Sequence, residues 1–412
     1  MKIYHSEFLH ILSERGFLNQ LTHPQELDHA CEKSGVVGYC GFDATALSLH
    51  VGNLVQLMVL KWMKELGHRP IALLGGATSQ IGDPTFRSDS RVLLSPQKVQ
   101  ENIAGIAQNI SAVVGEVDVV NNHDWFSDIR YLDFLRTVGV HFSVNRMIAF
   151  EHMAQRLEKE EPLSFIEFNY LLVQSYDFME LYQRYGCKVQ FGGSDQWGNI
   201  VSGVDLVRRA LRQQVYAFTT PLVTTAGGQK MGKTAQGAVW LNADLCQPYQ
   251  FWQFWRSIDD GDVGQFLRLF TMLPLQEVAK LEALQGAELN EAKVILANEV
   301  TKIVHGPEVC EAIQKTVLNL TSGNWNEEDL KLPTFSVTSQ ELANGFSILD
   351  ALERAQLVAS RSEGKRKVKE GAVVLAGTKA VDAFDLLKKE DFCEGRLLLC
   401  LGSKHKVVLL LQ

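Results

Sequence analysis

The stretch His50-Val51-Gly52-Asn53 places an imidazole and an amide directly before an apolar helical pattern. Backbone N–H groups at a helix start can bind phosphate, and His and Asn side chains can add further donors. The structural alternative is an ordinary strand-to-helix turn in which Asn53 is the helix N-cap. The sequence therefore indicates phosphate chemistry here without excluding a purely structural turn.

Two polar loops carry pairs of basic side chains. Arg87 and Arg91 lie in one of them, and Lys230 and Lys233 lie among glycines and small polar residues in 224–237. Such pairs are commonly solvated charge, but opposite a triphosphate they become clamps. The lysine loop lacks the GxxxxGK[ST] spacing of a Walker A loop.

A polar stripe interrupts an otherwise apolar stretch at 162–186. Its apolar residues cover nearly every face, which predicts a buried helix. Tyr170, Gln174 and Asp177 lie at i, i+4 and i+7 on one face of that helix. The stripe either faces solvent or an interface, or it lines a ligand pocket, because an uncompensated buried carboxylate is costly.

The stretch FGGSDQW at 191–197 follows an apolar run. Glycines such as Gly193 let a ligand approach the backbone closely. Asp195 then offers an acceptor suited to a ribose hydroxyl or an amine, and Gln196 offers an amide. We interpret this stretch as a second part of a binding site.

The elements that must position these residues alternate along the first 225 residues. Apolar runs at 36–42, 70–76 and 187–193 predict strands, and 54–66 predicts a helix. This alternation predicts βαβ units in a parallel, doubly wound sheet. Ligands bind beyond the carboxyl ends of the strands in such sheets, where the polar stretches above begin.

The second half of the chain changes character. Residues 245–320 have helical periodicity and few glycines, 321–344 are polar and predict a linker, and a short terminal unit begins at Phe346. From Phe346 onward there are 12 Lys and Arg against 9 Asp and Glu, a net of +3, whereas the whole chain carries −8. A basic tail on an acidic body favours a polyanionic partner, although a solvated charged helix would give the same composition.

Composition also bears on location. The seven cysteines form no CxxC pair, which is typical of free cytosolic thiols. The first twenty residues resemble neither a signal nor a transit peptide, and no apolar run reaches the roughly 18 residues of a membrane span. We therefore expect a cytoplasmic protein.

Taken together, the motifs resemble those of the bacterial-type tyrosyl-tRNA synthetases, which are class I aminoacyl-tRNA synthetases with a C-terminal S4 RNA-binding domain. YCGFDATALSLHVGNL resembles the first family signature, with HVGN in place of HIGH, and KMGKT at 230–234 resembles the KMSKS loop. YLLVQSYD and GGSDQWGN are similar to the tyrosine-pocket motifs. The motifs occur in the family's order, and the resemblance covers essentially the whole chain.

The resemblance implies a Rossmann-like, doubly wound α/β catalytic domain, an α-helical domain and a small α+β S4-like domain. The expected bounds are 1–228 for the catalytic domain, 229–340 for the KMSKS-like loop with the anticodon-side helices, and 345–412 for the S4-like domain. It also implies the substrates L-tyrosine, ATP with Mg²⁺ and tRNA(Tyr), no protein-bound metal, and a homodimer.

Residue roles follow from the same resemblance. Tyr39 and Asp177 would hold the phenolic hydroxyl of tyrosine. The α-ammonium and carboxylate groups would be bound by Asp83, Tyr170, Gln174 and Gln196. The ATP-binding residues would be Gly41, Asp43, His50, Gly52, Asn53, Gly193, Asp195 and Lys233. The residues acting on the phosphates during catalysis would be His50, Asn53, Arg87, Arg91, Lys230 and Lys233. The tRNA contacts would include Arg361, Lys365, Arg366 and Lys367.

Three positions depart from the family pattern. Ala44 stands where proline is usual, Asn53 where histidine is usual and Arg87 where lysine is usual. None of them removes a charge that the chemistry needs. Two other functions remain open on the sequence: a synthetase-derived RNA-binding protein without activation, and the sister tryptophan enzyme, which the Tyr39–Asp177 pair disfavours.

Overall fold

The structure is a computed structural model, and its described residues are 4–33, 35–85, 94–228, 231–234, 237–322, 332–376, 378–393, 395–402 and 405–412. The chain divides into two compact units, Met1–Gly232 with Gly264–Val278, and Lys233–Val263 with Ala279–Gln412. The three domain bounds expected from the sequence remain predictions.

A five-stranded sheet forms the centre of the first unit. Its strands are β1 (Val37–Asp43), β2 (Arg69–Gly75), β3 (Asp118–Asn121), β4 (Val189–Gly193) and β5 (Tyr216–Thr220). Every pairing is parallel and the spatial order is β3-β2-β1-β4-β5. The chain runs outward on one side of β1 and then returns to the other side, so the switch point lies between β1 and β4. The predicted doubly wound sheet is confirmed.

Helices precede β1 and connect the strands that follow. They are α1 (Glu7–Arg15), α2 (Pro24–Cys31), α3 (Leu54–Glu65), α4 (Thr78–Ile81), α5 (Pro96–Val114), α6 (His123–Phe126), α7 (Tyr131–Thr137), α8 (Val144–Met147), α9 (Glu151–Glu158), α10 (Phe165–Tyr185) and α11 (Trp197–Leu211). Ser164 and Glu167 form a capping box at the start of α10, and Gly186 ends it in the left-handed region at φ 65°. The predicted helix at 162–186 is therefore confirmed.

The core beside the switch point explains why α10 is apolar on most faces. Leu171, Phe178 and Leu181 are buried against strand and helix side chains of the same cluster. Phe191 on β4 stacks on Phe218 on β5 with their ring centroids 5.1 Å apart. Burial of each such side chain contributes roughly 1.5–3 kcal/mol, so the polar side chains of α10 are held in a well-packed frame.

Helices dominate the chain from residue 248 to residue 322. They are α12 (Pro248–Arg256), α13 (Val263–Phe270), α14 (Leu275–Glu282), α15 (Leu289–His305) and α16 (Pro307–Ser322). A short antiparallel pair, β6 (Lys233–Thr234) and β7 (Gly237–Ala238), precedes them. The buried Lys293 ammonium on α15 donates to the carbonyl of Ile258 at 2.7 Å and contacts Asp260 at 2.5 Å, which satisfies a charge that burial would otherwise penalise. The helical periodicity of 245–320 is confirmed.

The last 80 residues form a small α+β body. Its strands are β8 (Thr334–Val337), β9 (Val373–Leu375), β10 (Thr378–Lys379), β11 (Arg396–Leu401) and β12 (His405–Leu411), in the order β10-β9-β11-β12-β8. Its helices are α17 (Ser339–Ala343), α18 (Ile348–Arg354) and α19 (Arg361–Lys369). Strand β8 pairs parallel with β12 and Val337 belongs to the core. The prediction of a polar linker over 321–344 is therefore wrong for its described part from 334 to 343.

No helix in the described part of the chain combines the length and apolar composition that crossing a membrane requires.

Candidate active site

The carboxyl end of the first sheet collects most of the predicted site residues. Tyr39 and Asp43 lie on β1, Gly193 ends β4, and Asp195 and Gln196 follow it in a 3₁₀ turn. Helix α10 brings Tyr170, Gln174 and Asp177 to the same side. Because β1 and β4 flank the switch point, these groups lie where α/β sheets bind ligands.

Asp177 is buried, with a relative exposure of 2%, and two nitrogen donors hold it. Trp125 Nε1 donates to one carboxyl oxygen at 2.9 Å and Asn122 Nδ2 donates to the other at 3.1 Å. Neither donor carries a charge. Burial therefore raises the pKa of Asp177 to about 8 even though both hydrogen bonds lower it, and the nearby Asp43 carboxylate raises it further.

Tyr39 is the second member of the predicted hydroxyl-reading pair. Its side chain is 1% exposed and lies tilted against Phe178 at a centroid distance of 5.4 Å. Within the described residues its Oη has no hydrogen-bond partner. Burial, followed by the nearby Asp177 charge, raises its pKa well above the usual value. A buried hydroxyl without a partner is costly, and a ligand hydroxyl bound here would satisfy it.

A chain of hydrogen bonds links the two sides of the pocket. Tyr170 Oη donates to Asp43 at 3.2 Å, Thr78 Oγ1 donates to the other Asp43 oxygen at 2.8 Å, and Asn122 Nδ2 lies 3.2 Å from Thr78 Oγ1. Asn122 also donates to Asp177, so it connects the two carboxylates. The structure thus places Asp43, predicted as an ATP ligand, beside the tyrosine-pocket residue Tyr170.

Asp83 and Gln196 form the second polar cluster of the site. Gln196 Nε2 donates to Asp83 at 2.7 Å, and the Gln196 carbonyl accepts from Asn199 Nδ2 at 3.0 Å. The other Asp83 oxygen accepts from the backbone and hydroxyl of Thr85 at 2.9 and 2.6 Å. Because its amide nitrogen and its amide oxygen each have a partner, Gln196 has one orientation. The cluster is a pre-positioned carboxylate that suits an ammonium group.

The HVGN stretch forms one 3₁₀ turn, Val51–Asn53, before α3. His50 Nδ1 accepts from the Gly52 backbone N–H at 3.0 Å, and Asn53 Oδ1 accepts from the His50 backbone N–H at 3.2 Å. In neutral His50 the ring proton therefore lies on Nε2, which becomes a donor. The structural alternative proposed that Asn53 is the N-cap of α3, but its side chain makes no capping hydrogen bond to that helix. Its oxygen instead completes a capping box with His50.

Glycine is required at position 52 of this turn. A Cβ built on Gly52 would lie 2.7 Å from His50 Cε1 and 3.0 Å from the Met231 carbonyl oxygen. Any side chain would therefore displace the imidazole from its cap.

The glycines and the acidic residue assigned to ATP differ in their surroundings. A Cβ at Gly41 would meet no atom within 4 Å, so the backbone is open there. A Cβ at Gly193 would lie 2.4 Å from Asp195 Oδ1, so glycine permits Asp195 to fold back over the strand end. An acceptor such as Asp195 suits a ribose hydroxyl, which is the role that the resemblance implies.

Three of the predicted phosphate residues, Arg87, Arg91 and Lys230, lie outside the described residues. Lys233 begins β6, where its backbone pairs with Ala238. Their roles remain predictions.

Helix α19 carries the predicted tRNA contacts, all four on its solvent-exposed or half-buried surface. Arg361 pairs with Asp350 and Glu353 at 2.9 Å each. Arg366 and Lys367 pair with acidic residues of their own helix and its end. Lys365 instead lies over the ring of Phe384, 4.6 Å from its centroid. The charge available for RNA is thus smaller than the sequence count indicates.

Sequence reasoning missed Asn122 and Trp125, which hold Asp177. The available signal was the polar run NNHDW at 121–125, which directly follows β3 at the edge where ligands bind.

Comparison with known proteins decides the family. Residues 32–321 match the family described as tRNA synthetases class I (W and Y). The chain is 48% identical over 410 residues to the tyrosine–tRNA ligase of Dinoroseobacter shibae, covering 98% of each chain. It is 46% identical over 416 residues to that of Bartonella quintana, covering 99% of each. The chain belongs to the tyrosine–tRNA ligase family.

Solved structures of tyrosyl-tRNA synthetases agree with the fold. A C-terminally truncated mitochondrial enzyme from Aspergillus nidulans matches with a TM-score of 0.69 at 29% identity, covering 76% of this chain and 94% of that one. The Archaeoglobus fulgidus enzyme, solved with L-tyrosine, matches with a TM-score of 0.56 at 16% identity, covering 74% of this chain and 99% of that one. At that identity the second match shows the fold alone.

Proposed function

We propose that this chain is a tyrosine–tRNA ligase that activates L-tyrosine with MgATP and transfers it to the 3′ end of tRNA(Tyr). The observation that carries the choice of amino acid is the Tyr39–Asp177 pair. Asp177 is fixed by Trp125 and Asn122, and Tyr39 Oη lies buried without a partner among the described residues. A phenolic hydroxyl would bond to both groups, whereas phenylalanine would leave the buried Tyr39 hydroxyl without a partner.

In the first step an oxygen of the tyrosine carboxylate attacks the α-phosphorus of ATP. A P–O bond forms to the carboxylate, the bond to the β-phosphate oxygen breaks, and magnesium pyrophosphate leaves. The nucleophile is already ionised, so the protein needs no general base. Its task is to position the two substrates and to stabilise charge on the transferring phosphoryl group.

The site residues divide this task. Asp83, oriented by Gln196 and Thr85, binds the ammonium group and thereby aims the carboxylate. His50 Nε2 and the amide of Asn53 donate to the phosphates from the start of α3. Lys230, Lys233, Arg87 and Arg91 neutralise the departing pyrophosphate.

In the second step a ribose hydroxyl at the tRNA 3′ end attacks the activated carbonyl, and AMP leaves. The basic helix α19 supports a role of the C-terminal body in tRNA binding. Transfer of labelled tyrosine to tRNA(Tyr) by the purified full-length chain tests the whole proposal. Pyrophosphate exchange without transfer would limit the function to activation. The absence of both activities would favour the non-enzymatic RNA-binding alternative.

We also propose that two copies of the chain form a homodimer. Exposed apolar side chains are concentrated between residues 131 and 166. The most exposed of them are Leu132 at 71%, Val140 and Phe165 at 69%, Val144 at 59% and Tyr131 at 58%. Apolar groups at this density favour a protein interface. Light scattering should show Phe165→Asp as a monomer and the exposed-site control Leu245→Asp as a dimer; a monomeric wild type would contradict the proposal.

The bacterial relatives support a cytoplasmic location, which remains part of the proposal.

A further inference from the structure

An exposed apolar loop lies beside the basic helix of the C-terminal body. Within residues 381–386, here the 381–386 loop, Val381 is 88% exposed, Phe384 55% and Leu386 53%. Ala383 in the same loop is 5% exposed and Leu387, just after it, 3%. The loop therefore has an inner side that is buried and an outer side that presents large apolar groups to solvent, which calls for an explanation.

Backbone hydrogen bonds fix this loop in place. The N–H groups of Leu349 and Ile348, in the first turn of α18, donate to the carbonyls of Ala383 and Asp385 at 3.0 Å each. The Leu387 N–H donates to the Phe346 carbonyl at 2.9 Å. The loop thus satisfies N–H groups that a helix start leaves open, and its backbone is anchored to α18.

A local turn also fixes the backbone at Phe384. Its backbone N–H donates to Asp382 Oδ1 at 3.0 Å, as in an Asx turn. The backbone at Phe384 is thus fixed by a local turn, and its ring is 55% exposed.

Lys365 differs from three other basic residues of α19 in its contacts. Arg361, Arg366 and Lys367 have carboxylate partners. In the described part of the chain, the contact that Lys365 makes is with the Phe384 ring, 4.6 Å from the centroid. Among the described residues it forms no ion pair, so its positive charge is available to an anion next to an exposed aromatic face.

We propose that Phe384 is a stacking platform for an unpaired base of the tRNA and that Lys365 contacts the phosphate beside that base. An aromatic ring next to a cation is the pair of groups that single-stranded nucleic acid requires, one for the base and one for the backbone. An apolar protein surface would cover the loop but would leave Lys365, which forms no ion pair within the described residues, without an anion. The inference rests on the proposed function, because it names where the tRNA substrate is bound.

Binding of transcribed tRNA(Tyr) to the full-length chain tests this inference. The variants are Phe384→Ala, Phe384→Trp and Lys365→Ala, and Val381→Ala is the matched control because it removes an exposed apolar group from the same loop. The Kd for tRNA is measured by filter binding over a series of KCl concentrations, with the kcat/KM of aminoacylation measured in parallel. Thermal melts confirm folding, and tyrosine-dependent pyrophosphate exchange reports the activation site.

Phe384→Ala should weaken tRNA binding roughly 5- to 150-fold and leave the salt slope unchanged, because stacking releases no counterions. Phe384→Trp and Val381→Ala should bind as the wild type does. Lys365→Ala should reduce the slope of log Kd against log salt by about 1. Pyrophosphate exchange should be unchanged in every variant.

A Phe384→Ala protein that binds tRNA as tightly as Val381→Ala would overturn the inference. So would a loss on Phe384→Ala that appears as dissociation of a dimer in light scattering, since the loop would then be an interface between copies. In both cases normal exchange and aminoacylation by the wild type would leave the proposed function standing. A wild type without exchange would instead remove the proposed function itself.

Discussion

Asp177 is the residue whose environment departs most from that of an ordinary carboxylate in this site. It is 2% exposed, and two neutral N–H groups rather than a cation surround it. Trp125 and Asn122 each donate to a different oxygen, so the carboxyl plane is fixed before any ligand arrives. The residue combines a defined orientation with a pKa raised to about 8, chiefly by burial.

This pKa shift predicts a pH dependence of stability. The folded pKa of about 8 lies above the usual Asp value of 3.8, so the folded state keeps a proton that the unfolded state has released. The stability that Asp177 contributes is therefore fully present below about pH 4 and is lost as the pH rises toward 8.

Asp177→Asn removes that titration. Between about pH 5 and pH 8 the free energy of unfolding of the wild type should therefore fall relative to that of the variant. The difference should change by up to about 1.4 kcal/mol per pH unit and stop changing above pH 8. Thermal melts of both proteins across this range measure it. A difference between the two that stays constant with pH would mean that Asp177 remains ionised despite its burial.

Ala44 illustrates how a departure from the family pattern is accommodated. Its backbone N–H donates to Ser79 Oγ at 2.6 Å, and its carbonyl accepts from Asn102 Nδ2 at 2.8 Å. Proline, which the family usually has here, could not make the first bond. The loop after β1 is thus held by a hydrogen bond in place of a restricted backbone.

At the scale of elements, the turn between β1 and α3 holds the phosphate-binding groups. Asn53 has two ends with different tasks: Oδ1 caps the His50 N–H, and the amide nitrogen is the group that would donate to ATP. The two tasks can be separated by substitution.

Asn53→Asp should keep the cap and lose the donor. We expect its melting temperature to stay near that of the wild type, while the activation barrier rises by about 1–3 kcal/mol, the range for losing a donor to a charged group. Asn53→Ala should lose both, with a further loss of about 1 kcal/mol in stability. Asn53→His, which restores the usual family residue, should retain most of the rate. Melts and pyrophosphate-exchange kinetics measure these effects, and a full-rate Asn53→Asp enzyme would limit Asn53 to the cap.

The sequence was sufficient for the elements that have a strong local period or sharp end signals. Helix α10 and strands β1, β2 and β4 were predicted because apolar periodicity and flanking glycines define them. Strand β8 was missed because Thr334–Val337 is short and its partner β12 lies more than 70 residues away. Asn122 and Trp125 were missed for a related reason: they reach Asp177 across 55 and 52 residues of chain, and only the sheet brings them together.

At the scale of the whole molecule, the pairing of β8 with β12 determines where the C-terminal body can be removed. A cut before residue 346 would leave β8 without its parallel partner and expose Val337, which is buried. A cut before residue 332 removes the complete sheet.

We expect the chain ending at residue 331 to keep tyrosine-dependent pyrophosphate exchange and to lose most transfer to tRNA, since every described residue of the candidate active site precedes it. The chain ending at residue 345 should be less soluble, because it retains the unpaired strand. Exchange rates, aminoacylation rates and light scattering compare the two chains. Loss of exchange in a folded chain ending at residue 331 would show that activation depends on the C-terminal body.

The most direct test of tyrosine activation is ATP–pyrophosphate exchange with tyrosine, phenylalanine and tryptophan as alternative substrates, on the wild type and on Asp177→Asn. The wild type should use tyrosine with by far the highest kcat/KM. In Asp177→Asn the side-chain amide must turn an N–H toward Trp125, Asn122 or the ligand hydroxyl, so the preference for tyrosine over phenylalanine should fall by roughly 5- to 150-fold, equivalent to about 1–3 kcal/mol. Three results would contradict the assignment of Tyr39 and Asp177 as the pair that binds the tyrosine hydroxyl. They are a wild type without amino-acid-dependent exchange, a wild type that prefers tryptophan, and a variant whose ratio of kcat/KM for tyrosine over phenylalanine is unchanged.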